Sequence, residues 1–298
     1  MTVNAPDVPS PKPVDVYRLE AMEVWGGNEG AEQSVSVTGF DINVICRPHQ
    51  GHASGGDLRY VSMCAAGQIG RFTLADISGH GQSAGDAALA LRALMRKHVN
   101  TPNPTRFAVQ LNTEFARLAE GGVFATALIT TYFAPTDHFI VCNAGHPRPL
   151  LYRSASRTWE LMDPSSPKNL RAEHAKESGI SNLPLGIIEP ANYPQFATRL
   201  VPGDIVVLYT DSLIESANAS GTALGEEGLL DLVRSLDLTD SQTLARRIEN
   251  AVSTYRGHRP SDDDTTLMVL RHNGSDPVRM PLGVKLKTLG KLVGLVRS

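Results

Sequence analysis

Four carboxylate positions stand where apolar, β-type runs begin or end. Asp57 follows Ser-Gly-Gly, Asp76 ends Phe-Thr-Leu-Ala, Asp211 ends Ile-Val-Val-Leu-Tyr-Thr, and Asp262-Asp263-Asp264 precedes Thr-Thr-Leu-Met-Val-Leu. One such acid alone is ordinarily a turn residue or a helix cap. Buried strands seldom carry a carboxylate unless something compensates its charge, so four strand-end acids suggest convergence at one end of a sheet. No Lys or Arg cluster accompanies them in the sequence. Carboxylates that repel one another in this way suit hard divalent cations, and all-oxygen ligation favours magnesium or manganese over zinc. Gly55, Gly56 and Gly79 let backbone approach such ions without a Cβ in the way.

The elements that must carry these acids read as strands, two helices, strands, a helix and a last strand. β-Branched and apolar runs cover 41–48, 57–66 and 70–78, the last two joined hairpin-fashion at Gly67 to Gly70. A helix over 81–100 sets Leu91, Leu94 and Met95 on one face, and a second, over 103–122, has Pro104 near its start and Gly121 at its end. Strand patterns return at 125–135, 138–145, 148–153 and 158–163, with a turn at Pro135 to Asp137. After a polar segment from Asp163 to Pro184 come strands at 195–201 and 204–211, a helix at 240–257, and a strand at 265–272. Most strand connections are too short for parallel crossovers, so the pairing is mostly antiparallel and the class is α+β.

The segments GGD, ADISGHG, FATALITTYF, CNAGHPRPLL, LPLGI, PGDIVVLYTDSLIE, LGEEGL and DDTTLMVL occur in that order between Gly55 and Leu270. In these motifs the chain resembles bacterial PP2C-like serine/threonine phosphatases of the SpoIIE type, a branch of the metal-dependent PPM phosphatases. The resemblance implies a PP2C-like β-sandwich flanked by α-helices, with two Mn²⁺ or Mg²⁺ ions at its edge. By position in the motifs, Asp76 resembles the ligand bridging both ions, and the Ile77 carbonyl a further ligand, directly or through water. Asp211 and Asp263 match the acids completing the second ion's shell, with Asp264 as the alternative in the triple run. Asp57 matches the GGD acid near the same ions, within reach through a water. Asp76 and Asp211 would then be catalytic through metal-activated water, which attacks a phosphoserine or phosphothreonine phosphorus in line. SpoIIE-type relatives act on a small anti-sigma-factor antagonist in partner-switching circuits, and the resemblance implies a cytoplasmic phosphoprotein substrate of this kind. The Asp163 to Pro184 segment is the candidate for recognising it.

Other readings compete. Cys142 and Arg148 have the Cys-x5-Arg spacing of a thiol-dependent phosphatase loop, but Pro147 removes a donor and Pro149 precedes a strand rather than the required helix. Ser212 stands where the family usually has glycine, so a metal-binding pseudophosphatase acting as a docking module is a further alternative. If that position needs φ > 0, the serine is strained. The GGD triplet is also found in cyclic dinucleotide cyclases, whose motif the following Leu-Arg-Tyr does not continue. His49 and His52 fit a polar loop, His80 and His146 fit turns, and Glu215 fits a helix-start acid.

A net charge of −3 lacks the basic excess needed to neutralise a nucleic-acid backbone. No apolar run approaches the length of a transmembrane helix, and the Pro-rich start lacks the apolar core of a secretion signal. Three cysteines without Cys-x-x-Cys spacing read as reduced thiols. The expected organisation is a disordered arm at 1–13, a phosphatase domain at 14–272, and a loosely docked or frayed basic tail at 273–298.

Overall fold

The computed structural model describes residues 16–19, 23–79, 82–118, 122–167, 169–171, 181–238, 241–275 and 281–293. The 1–13 arm and His80 lie outside them. The chain begins with β1 (Val16–Arg18), β2 (Val24–Glu29), β3 (Ala31–Val37), β4 (Phe40–Arg47), β5 (Ser54–Cys64) and β6 (Ile69–Ile77). Then come α1 (Gln82–Lys97), α2 (Pro104–Leu118), β7 (Ala125–Phe133), β8 (His138–Ala144), β9 (Leu150–Arg153) and β10 (Thr158–Leu161). After β11 (Leu170–Arg171), β12 (Gln195–Arg199) and β13 (Ile205–Tyr209), it ends with α3 (Ser212–Glu215), α4 (Gly225–Arg234), α5 (Leu244–Tyr255), β14 (Thr265–His272) and α6 (Leu282–Leu292).

The strands form two seven-stranded sheets, ordered β1-β3-β4-β14-β13-β9-β10 and β11-β12-β8-β7-β6-β5-β2. Among the described strands only β1 and β3 pair in parallel. The sheets pack face to face over Phe40, Phe72, Tyr132, Phe139, Leu208 and Met268. Phe40 meets Phe72 and Tyr132 edge-on, with centroids 5.3 and 4.8 Å apart. On the outer face of the second sheet, α1 sets down Ala84, Ala88, Leu91 and Met95, and α2 sets down Phe107, Leu111 and Phe115. These spacings of three and four put one apolar stripe against the sheet. α4 and α5 cover the other sheet with Leu229, Val233, Ile248 and Val252. This is the α+β sandwich of mostly antiparallel sheets flanked by helices.

Period-two alternation explains where the acids point. In β6, Phe72 and Leu74 face the opposite sheet while Ala75 and Ile77 face the helices. Asp76 therefore shares the inter-sheet face. In β5, Val61 and Met63 fix the same parity for Asp57, and in β14, Met268 and Leu270 fix it for Asp264 and Thr266. The strands do not leave the core to expose these acids. The core itself runs out into acids at one end.

Several elements depart from the sequence reading. β2, β3 and α4 have no counterpart in it. β3 carries Glu32, Gln33, Ser34 and Ser36, so its β character comes from pairing with β4 rather than from composition. The hairpin turn is Ala65 to Gln68, with Ala65 and Ala66 at φ 52° and 54°. The tail is not frayed over its described part. α6 docks Leu289, Leu292 and Val293 on Ile69, Phe133, Ile140 and Ala197. Asn103 and Gln195 each donate to the Leu292 carbonyl, at 2.8 and 2.6 Å. No helix among the described residues is long and apolar enough to cross a membrane.

Candidate metal centre

The acids meet where β5 and β6 of one sheet oppose β13 and β14 of the other. Asp57 is 2% exposed, and Thr210 Oγ1 donates to its Oδ2 at 3.0 Å, tying the two sheets together. Thr210 in turn accepts the Thr266 N–H at 2.9 Å. Burial, followed by the nearby Asp76 charge, holds the Asp57 carboxyl well above the usual carboxylate range. Asp76 is pushed up to about 8, first by burial and then by the charges of Asp211, Asp263, Asp264 and Glu215. Asp211 is raised by burial, then by Glu215 and Asp263. No described residue donates a hydrogen bond to the Asp76 carboxylate, so nothing among the described residues offsets this repulsion.

Asp264 differs from its neighbour Asp263. It is 6% exposed and accepts the backbone N–H groups of His49 and Gly56, both at 2.6 Å. A Cβ at Gly55 would lie 2.3 Å from Asp264 Oδ1, so the glycine admits the carboxylate. At Gly56 a Cβ would stand 3.0 Å from the Ile77 carbonyl, which keeps that oxygen accessible from one side. Asp263 is exposed, and its Oδ1 accepts the Asp264 N–H at 2.8 Å. Of the two acids, Asp264 is committed to backbone and Asp263 is free to face an ion.

Among the described residues, no three Asp, Glu, His or Cys side chains form a closed chelate. The charges of Asp211, Asp263, Asp264 and Glu215 nevertheless all act on Asp76. The donor chemistry fits hard cations that keep several of their own waters and take only one or two carboxylates each. Asp57, Asp76, Asp211 and Asp263 are thus brought to one edge together with the Ile77 carbonyl.

Other candidates fall elsewhere. Cys142 is fully buried in β8, its thiol pushed up to about 12 by burial, and Arg148 is bound to Glu226 through its N–H and its Nε, both at 2.7 Å. Neither can form an anion-binding loop. His146 is buried between Thr126 Oγ1 and the Tyr209 carbonyl, and burial lowers it to about 4, so it stays neutral and braces the two sheets. His49 rests its Nδ1 3.2 Å from the Ser261 carbonyl. Ser212 opens α3 with helical backbone, so the strain expected of it does not arise. Glu215 lies in the single turn of α3, as a helix-start acid would, and its charge raises both Asp76 and Asp211. The sequence reading missed Thr210, whose one signal is its place directly before Asp211. All three cysteines are free thiols.

The family profile of stage II sporulation protein E (SpoIIE) matches residues 70–273. Phosphoserine phosphatase RsbU of Bacillus subtilis is 23% identical over 199 residues, which make up 66% of this chain and 54% of RsbU. The chain thus spans about half the length of this curated relative. A structure of RsbU and RsbW domains from Mycobacterium tuberculosis superposes with a TM-score of 0.64 at 20% identity, over 89% of this chain and 71% of that one. The SiaA PP2C domain of Pseudomonas aeruginosa gives 0.62 at 16%, covering 77% and 85%. RsbX in complex with magnesium gives 0.56 at 19%, covering 81% and 99%. With the profile spanning more than half its length, the chain belongs to the SpoIIE family and has the PP2C-like fold.

Proposed function

We propose that this chain is a metal-dependent phosphoprotein phosphatase that hydrolyses phosphoserine or phosphothreonine by attack of water on phosphorus. The observation that carries the reading is Asp76, a carboxylate raised to about 8 by burial and by four other acids at the inter-sheet rim. Mn²⁺ or Mg²⁺, two per site, would be held by Asp76, Asp211 and Asp263, with the Ile77 carbonyl and Asp57 contributing directly or through water. When bound, the ions supply an activated water and neutralise charge on the phosphoryl oxygens. The protein's part is positional. Thr210 clamps Asp57 at 3.0 Å, and Asp264 fixes the backbone at Gly56 and His49. The identity of RsbU as a phosphoserine phosphatase supports a serine substrate. The magnesium complex of RsbX supports the metal class.

The substrate we assign is a phosphorylated anti-sigma-factor antagonist of a cytoplasmic partner-switching pathway, by family likeness, docking partly on the 163–184 segment. Hydrolysis of an aryl phosphate and of a phosphoserine peptide tests the chemistry. Both should require added Mn²⁺ or Mg²⁺, and Asp76→Asn and Asp211→Asn should each remove nearly all turnover. Full activity in excess EDTA would sink the two-metal reading. The thiol-dependent alternative has no support in the placement of Cys142, and the pseudophosphatase alternative loses its one argument with the relaxed backbone of Ser212.

A further inference from the structure

A cleft of about 380 Å³ opens beside Asp263, floored by Leu213 and Val252 and walled by Pro48 and Pro260. Two arginines also line it, and they differ in kind. Arg47 is already matched, reaching Glu249 and Glu32 at 2.9 Å each. Arg256 is not. Its Nε–H donates to the Arg259 carbonyl at 2.7 Å and its Nη1–H to Ser216 Oγ at 3.1 Å. Arg259 reciprocates, donating its Nε–H to the Arg256 carbonyl at 3.0 Å and Nη2–H to the Ala217 and Asn218 carbonyls at 2.6 and 3.1 Å. Among the described residues neither guanidinium has a carboxylate within ion-pair reach. Two full positive charges are therefore fixed by neutral oxygens alone.

The turn that holds them is built at some cost. Gly257 and His258 have φ of 68° and 58°, and the second is an uncommon conformation for a residue with a side chain. Surface arginines normally keep their rotamer freedom; ordering half-buried Arg256 and exposed Arg259 on one turn without a counter-charge gains nothing electrostatic inside the chain. The same strap then runs through Pro260 and Ser261 to Asp263, so the cationic pair and the candidate metal centre are ends of one short segment. Asp262, Asp263 and Glu249 nearby would repel any acidic chain that approached without such a pair to meet it.

Building on the phosphatase reading, we propose that Arg256 and Arg259 bind acidic side chains flanking the phosphorylated residue of a protein substrate, with that flank lying in the cleft. A cleft of this volume is roughly 9 Å across, or two to three residues of extended chain. Acidic residues two or three positions from the phosphoserine are therefore the ones to test. A guanidinium fork suits them because it meets a carboxylate through two charge-assisted hydrogen bonds.

The test compares kcat/KM for two phosphoserine peptides, one with Asp and Glu two and three residues from the phosphoserine and one with Asn and Gln there. The wild type should favour the acidic peptide by about tenfold at low salt, and the preference should shrink as salt rises from about 50 to about 300 mM. Arg256→Gln should reduce it below about threefold, Arg256→Glu should abolish or reverse it, and Arg256→Lys should keep part of it. An unchanged preference in folded Arg256→Glu protein overturns the proposal. So does a wild type with no acidic preference, which needs no variant to fold. Aryl phosphate hydrolysis by the wild type separates the two ideas. Turnover without acidic preference defeats this inference alone. Absent turnover defeats the phosphatase reading, and the same preference must then appear in peptide binding by fluorescence anisotropy or this inference falls too.

Discussion

Replacing Asp76 by asparagine should stabilise the metal-free protein while removing its response to metal. In the unfolded chain this carboxyl ionises near its ordinary 3.8, and in the folded, metal-free protein near 8. Between those values the folded state binds the extra proton, so stability falls as pH rises, by up to about 1.4 kcal/mol per pH unit. By pH 7 the accumulated loss is about 4 kcal/mol, and asparagine of the same shape carries none of it. A domain of this size moves about 2–4 °C per kcal/mol. In EDTA at pH 7, Asp76→Asn should therefore melt on the order of 10 °C above the wild type. The two should come within about 2 °C of each other near pH 4, where the wild-type carboxyl is protonated in the folded state and about 40% protonated in the unfolded chain, a residual difference of about 0.6 kcal/mol. Added Mn²⁺ should invert the order, because each ion at a hundred times its Kd contributes about 2.7 kcal/mol to whichever protein binds it, so two ions, about 5.4 kcal/mol, exceed the gap where one only narrows it. Calorimetric or circular-dichroism melts at pH 4, 5.5 and 7, with EDTA and with Mn²⁺, make the comparison. If Asp76→Asn melts below the wild type in EDTA, or if their separation does not grow with pH, the carboxylate is not held against the repulsion of its neighbours.

Three further outcomes follow from the geometry. Cys142→Ser should keep most phosphatase activity, because a thiol pushed up to about 12 supplies negligible thiolate near neutrality; loss of activity in a folded variant would reopen the thiol mechanism. Ser212→Gly, which restores the usual family residue, should not raise activity and should cost roughly 0.5 kcal/mol, since the position is helical; a gain in kcat would show that the serine does hinder the site. Asp264→Ala strips two backbone N–H groups of a charged acceptor and should cost about 3 kcal/mol in thermal melts, with metal affinity falling alongside. An Asp264→Ala protein that melts like the wild type would mean that the His49 and Gly56 backbone needs no anchor.

Much of this was legible in the sequence because two kinds of signal agree. Apolar alternation located most strands of both sheets and the helices at 82–97, 104–118 and 244–255. What failed was of a different kind. β2 and β3 are polar or glycine-rich, and their conformation is imposed by their partners, as Val24 to Gly27 pair with Ser62 to Arg59 of β5 and Ser34 Oγ donates to Asn43 Oδ1 opposite it at 2.7 Å. Helix α4 begins within a Gly-Glu-Glu-Gly run that local propensity disfavours, yet Leu229, Leu230 and Val233 bury against the sheet and hold it. The tail looked frayed for the same reason. Gly283 and Gly290 weaken α6 locally, while Leu289 and Leu292 find a surface that only the folded sheet provides.

The acids make the deeper point, because residue type and spacing alone cannot separate a carboxylate that builds the fold from one kept for chemistry. Asp204 begins β13's approach as plausibly as Asp211 ends it. Yet Asp204, 1% exposed, accepts from Ser154 N–H and Oγ at 2.8 and 2.9 Å and from Val201 N–H at 3.1 Å, and lies 3.5 Å from Arg153. Asp264 is similarly satisfied by backbone, although it adjoins Asp263 in a run of three identical residues. A satisfied buried acid needs no further partner. Asp76 has acids around it and no donor among the described residues, so its charge is left uncompensated by them. That distinction depends on which backbone N–H groups and side chains arrive from β-strands distant in the chain, so it emerges only once the two sheets are closed. It is also what turns a recurring sequence pattern into a specific expectation. Of the strand-end carboxylates, removal of the satisfied ones should weaken the fold, and removal of Asp76 should strengthen it at the expense of metal.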